Sequence, residues 1–150
     1  MSGINPQSEP SFSIISQGIR DLSFENILDP TKHGSEHPAI DIGIEASSKK
    51  IDNGTFEVSL KINVEAKHDS KPLFLLSLEY IGLCKIENIQ EDMISGLLMV
   101  QTPSLLFPFA RQIIANITSS SGLPPLLLQP VDFAALYHSQ QDNNQVAGHA

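Results

Sequence analysis

Between Phe56 and Ala66 apolar and polar residues alternate without a break. Phe56, Val58, Leu60, Ile62, Val64 and Ala66 share one face; Glu57, Ser59, Lys61, Asn63, Glu65 and then Lys67 take the other. A period of two predicts a half-buried strand, here about 35–40 Å long and roughly twice the usual length. Asn53-Gly54 just ahead of it is a strong hairpin signal. Its partner strand is read in Ile40, Ile42 and Ile44, which alternate with Asp41, Gly43 and Glu45. A turn at Lys67–Pro72 leads into Leu73–Gly82, where Phe74, Leu76, Leu78 and Tyr80 continue the apolar face and Leu75, Ser77 and Glu79 oppose it. A further strand begins at Phe12, but its alternation changes phase. Ile15 and Ile19 share one face, Leu22 and Phe24 the other. A bulge or strong twist between Ile19 and Leu22 reconciles them and leaves Asp21, Ser23 and Glu25 together on the solvent side.

Past Gly82 the periodicity lengthens. Gln90–Val100 reads as a short helix with Met93, Leu97 and Val100 inward, although Gly96 weakens it. A longer helix follows, capped by Ser104, with Pro108 in or just past the first turn and Leu106, Ala110, Ile113 and Ile117 on one face. Gly122 stops it. Leu123–Pro130 is apolar yet broken by prolines, so it is neither interior strand nor helix and has to lie against something. Val131–Tyr137 is a brief closing helix. Residues 1–11 read as a flexible arm and the Gln/Asn-rich 138–150 as a disordered tail, which leaves 12–137 as the domain. The expected fold is α+β: a four-stranded antiparallel sheet with a long helix and a short C-terminal helix on one face. A helix of about 15 residues spans only about 22 Å, so part of the strands' apolar face stays uncovered. A second subunit, a ligand, or both can close such a strip.

Composition narrows the function. The 150 residues suit one domain, and 41% apolar content is neither disordered nor membrane-like. No uninterrupted apolar run reaches the roughly 18–20 residues of a membrane span. The first ten residues lack the basic and apolar regions of a signal peptide. Cys84 is the only cysteine, which suits a reducing, cytoplasmic setting. A net charge of −8 disfavours nucleic acid and favours basic or amphipathic partners. No phosphate-binding Gly-rich loop, H-E-x-x-H or G-x-S-x-G is present, so neither enzyme nor cofactor is expected. His33, Glu36 and His37 share a loop rather than a helix face and make a poor metal site. The sequons at Asn53 and Asn116 have no meaning without secretion.

Three local patterns carry a resemblance. LFPFAR (106–111), GLPPLLLQPVDFAALY (122–137) and LSFE (22–25) are similar, in order and spacing, to the SecB family of protein-export chaperones, whose members carry LFPYAR, GFPPL-type and PVNF-x-x-LY segments. The resemblance covers roughly residues 12 to 137. It implies an ATP-independent holdase that binds unfolded preproteins and delivers them to the SecA motor, assembled as a homotetramer, a dimer of dimers with helices between two sheets. Carried over by position, unfolded polypeptide binds at Ile40, Ile42, Ile44, Phe74, Phe109, Leu126, Leu127, Phe133 and Tyr137. SecA docks on Asp21, Glu25 and Leu75. Leu76, Leu78 and Tyr80 fall at assembly positions. The chain departs from the family pattern at Ser77, where relatives keep a glutamate, at Glu36–His37, where they keep a loop aromatic, and in a tail without acidic character. Two alternatives stand beside export: a SecB-like chaperone serving a toxin–antitoxin system, and a purely structural oligomer.

Overall fold

A computed structural model describes residues 9–27 and 38–148, with side chains to residue 141. Most of the expected arm, and the loop with His33, Glu36 and His37, lie outside the described residues. Four strands, β1 (Ser11–Asn26), β2 (Ala39–Asp52), β3 (Thr55–His68) and β4 (Lys71–Glu87), form one antiparallel sheet in the order β1-β4-β3-β2. α1 (Glu91–Gly96) and α2 (Thr102–Ser120) are joined by a π-helical turn at Leu97–Gln101, and α3 (Phe133–Gly148) closes the chain.

Directly paired residues on neighbouring strands point the same way, so the register sorts the two faces. Ile42, Val64, Leu76 and Phe24 form one inner row, and Ile44, Ile62, Leu78 and Leu22 the next. The strand carboxylates, Asp21, Glu25, Asp41, Glu45, Asp52, Glu57, Glu65, Glu79 and Glu87, all pair on the outer face. The inner face carries none among the described residues.

β1 changes phase twice. The bulge expected between Ile19 and Leu22 is the register step from Ile19 to Asp21, which puts Ile19 opposite Tyr80 and Leu22 opposite Leu78 on one face. A second step, from Ile14 to Ser16, leaves Ile15 as an extra, exposed residue rather than a face-mate of Ile19. The residue skipped in the other step, Arg20, reaches over β4 and donates to both carboxylate oxygens of Glu57, at 2.6 and 2.7 Å. That hydrogen bond lowers the Glu57 pKa and raises that of Arg20.

The two hairpins differ in turn chemistry. Gly54 has φ of +80, and a Cβ there would stand 2.9 Å from the Ile86 carbonyl, so the glycine of Asn53-Gly54 is required. The β3–β4 turn instead places Asp69 (φ 50) and Ser70 (φ 65) in the left-handed region. Both positions of this two-residue turn favour Asn-Gly. Asp69→Asn with Ser70→Gly is therefore expected to stabilise the protomer by about 1 kcal/mol, because left-handed geometry costs an ordinary residue about that much. Equilibrium unfolding in denaturant measures it; an unchanged midpoint would mean the turn is unstrained.

The helical region departs most from expectation. Glu91–Ser120 is continuous over 30 residues, so Ser104 is not a cap. Its hydroxyl donates back to the Val100 carbonyl at 2.6 Å. Pro103, not Pro108, occupies the first turn of α2, and Pro108 sits exposed in the interior. The π turn adds a residue and rotates what precedes it, so Leu98 is buried and Met93 exposed. On α2 the buried line is Leu106, Phe107, Ala110, Ile114 and Thr118, with Ile113 and Ile117 at its margin. α3 is helical to Gly148, past Tyr137 where the sequence reading ended it. Without proline, Gln, Asn and Ala tolerate helix, and Gln141 donates to the Tyr137 hydroxyl one turn back at 2.8 Å. By length and composition Glu91–Ser120 is apolar enough to cross a membrane; here its buried line packs on the sheet.

The uncovered apolar positions therefore lie on the two edge strands. A 30-residue helix is about 45 Å long, matching the strands, but only about 10 Å across over four strands spaced about 4.8 Å apart. The helical layer packs mainly on β3 and β4 and reaches β2 through the π turn and β1 through α2, burying Ala46 but leaving Ile40 and Ile42 of β2 and Ile19 of β1 open.

Candidate functional site

The open inner surface falls into two parts. Along β2, Ile40 and Ile42 are exposed although they pair with the fully or nearly buried Ala66 and Val64. Beside the same core lies the proline-broken loop, Leu123–Pro130. Leu128 is its buried anchor, Leu126 is half-buried, and Leu127 stands 66% exposed. Sequence reasoning missed Leu128, which the run of three leucines could not distinguish from its neighbours.

Thr118 pins this loop. It is fully buried, its hydroxyl donates to the Ile114 and Ala115 carbonyls at 2.9 and 3.1 Å, and it accepts the Leu126 N–H at 2.9 Å. Gly122, at φ +81, lets the chain turn back, with the Leu123 N–H on the Thr118 carbonyl at 3.2 Å. Thr118→Val keeps the shape and removes the acceptor. The stranded Leu126 amide is expected to cost about 1–3 kcal/mol of stability and to speed hydrogen exchange at Leu126 before that of the sheet. Unaltered protection at Leu126 would count against the pin.

The second open part lies along β1. Ile19 is 48% and Phe109 52% exposed, and Phe109 stacks on Tyr80 at 6.5 Å with the rings 7° from parallel. Leu105, one turn before Phe109, is exposed on the same helix. Tyr80 also accepts a hydrogen bond from Gln17 at 2.8 Å. Phe109 thus sits over Tyr80, whose partner on β1 is Ile19.

Of the other expected binding residues, Ile44 and Tyr137 are half-buried, whereas Phe74 and Phe133 lie in the core. Phe133 packs edge-on to Phe107 at 6.0 Å and Phe74 tilts against Phe24 at 5.6 Å. Leu76 and Leu78 also lie in the protomer's core beneath the helices. On the outer face Asp21 pairs with Glu79, and Glu25 with an exposed Leu75. Ser77 donates to Asn63 at 2.7 Å. Burial raises the pKa of Cys84, 3.7 Å from the Thr102 hydroxyl, which leaves an unreactive thiol. No metal-holding cluster occurs among the described residues.

Comparison with known proteins agrees with this architecture. The family model described as preprotein translocase subunit SecB matches residues 5–144. A protein-export protein SecB of Hyphomonas neptunium is 46% identical over 140 residues, covering 92% of this chain and 83% of its own. Those of Caulobacter vibrioides and Xanthobacter autotrophicus are each 38% identical; the first covers 91% of this chain and 86% of its own, the second 96% and 95%. Among solved structures, a SecB-like chaperone of Mycobacterium tuberculosis, in complex with an antitoxin peptide, superposes with a TM-score of 0.68 at 14% identity. The match covers 80% of this chain and 90% of that one, and supports the fold. With the family's pattern spanning nearly its whole length and its sheet-and-helix architecture in place, the chain belongs to the SecB family of protein-export chaperones.

Proposed function

We propose that this chain is an ATP-independent holdase of the cytoplasm that keeps preproteins unfolded on its inner face and passes them to the SecA motor through its outer face. One observation carries the reading: Ile40 and Ile42 lie open on the inner side of the sheet, a face without strand carboxylates among the described residues, and the irregular loop exposes Leu127. Apolar area offered by an edge strand and a loop accepts many sequences, because it demands no single side-chain pattern. Leu126, Ile44 and Tyr137 line the margin of this surface, and Phe74 and Phe133 form its floor rather than its contact layer.

The β1 side supports assembly as a homotetramer. Ile19, Leu105 and Phe109 make an apolar patch of the kind a second copy covers. Leu76 and Leu78 act there indirectly, by seating the helix that presents Phe109. Export is favoured over a toxin–antitoxin role by the relatives at 38–46% identity, all protein-export proteins.

The test is a preprotein diluted from denaturant. The chain should hold it unfolded at near-equal molar ratio without nucleotide, and adding SecA should form a complex of all three. Refolding at the uncatalysed rate in the presence of excess chain would overturn the reading.

A further inference from the structure

On the outer face, register brings together residues far apart in the sequence. Glu25 of β1 pairs with Leu75 of β4, Leu75 with Glu65 of β3, and Glu65 with Asp41 of β2. One row across all four strands thus reads acid, leucine, acid, acid. Leu75 is 38% exposed, and the row borders an open depression of about 480 Å³ lined by Asp41, Glu65, Leu75 and Ser77. Glu65 lies 3.5 Å from Lys67, an exposed pair of little strength. Among the described residues, neither Glu25 nor Asp41 forms an ion pair.

We propose that the outer docking site extends along this row, with Glu65 and Asp41 as specificity-determining contacts for a short basic segment that carries an apolar side chain. The inference rests on the outer face being the motor's docking face. Strands are spaced about 4.8 Å apart, so Glu25 and Glu65 are about 10 Å apart, the span of about three extended residues. A segment lying across the strands sets an apolar residue on Leu75 and a Lys or Arg on each side of it, with one more over Asp41. Charge decides the occupant: a row with three carboxylates repels an acidic or neutral apolar segment and attracts a basic one. The row also answers the loss at Ser77. That hydroxyl is engaged with Asn63, and the carboxylate beside Leu75 comes from β3 instead.

Titration of purified SecA against the intact chain, at low and high salt, tests it with two double variants. Glu65→Gln with Asp41→Asn is expected to weaken docking about fivefold to tenfold at low salt, to flatten the salt dependence, and to leave binding of the unfolded preprotein unchanged. Asp21→Asn with Glu25→Gln serves as reference. If only the reference pair weakens docking, the row ends at Leu75 and the extension is wrong. If neither pair does, or SecA does not bind, the docking reading itself falls.

Discussion

Replacing Leu78 with aspartate is expected to unfold the protomer, whereas replacing Phe109 with aspartate should only split the assembly. Leu78 is 1% exposed between the buried Ile62 and the half-buried Leu22 of the adjoining strands. The change forfeits about 2–3 kcal/mol of leucine burial. An unpaired carboxylate there adds several kcal/mol, and the sum rivals the ~5–15 kcal/mol that holds a domain together. Phe109 is half in solvent already, so aspartate there costs the isolated protomer little and costs an apolar contact between copies a great deal. Circular dichroism and light scattering separate the two outcomes. The Leu78 variant should lose strand signal, and the Phe109 variant should keep it at a lower mass. A folded, dissociated Leu78→Asp protein would mean that this leucine is not structural. A Phe109→Asp protein of unchanged mass would remove the β1 side from the assembly surface.

Loss of client is the other large effect. Ile42→Ser with Leu127→Ser removes two open apolar side chains, one from the edge strand and one from the loop, without touching the core. Each is worth about 1.5–3 kcal/mol if a client buries it fully, and less when covered in part. A combined rise in Kd for an unfolded preprotein of about tenfold to a hundredfold is therefore expected. Leu128→Ser is the informative contrast: this buried residue should lower stability before it lowers affinity. Equal client affinity in the Ile42/Leu127 variant would place the binding surface elsewhere.

Much of this fold was legible in the sequence because a period of two is hard to mistake over a dozen residues. β3, the first part of β4, their faces, and the bulge at Arg20 follow from alternation alone, whereas the continuation of β4 from Gly82 to Glu87 was not read. The bulge at Ile15 did not, since one isoleucine out of phase reads the same whether it is paired or extruded. The long helix and the C-terminal helix were legible, but their boundaries were misplaced for a related reason. Gly96, Ser104 and Pro108 are local stop and start signals, yet burial of one side of thirty residues outweighed all three, and the π turn shifted the phase by a residue. The candidate site was legible by residue type but not by place. Phe74, Leu127 and Phe133 look alike in a sequence, and only packing divides floor from contact layer. The row through Glu65 and Asp41 was beyond reach, because its members meet only through strand order.

A sheet that keeps its strand carboxylates on one side and the open Ile19, Ile40 and Ile42 on the other can be occupied on both sides at once. If the outer face docks the motor as proposed, cargo and motor need not compete, and a loaded chaperone can dock before it lets go. Handover becomes a matter of two faces sharing one thin layer of strands: whatever bends β2 or β4 on one side is felt directly on the other.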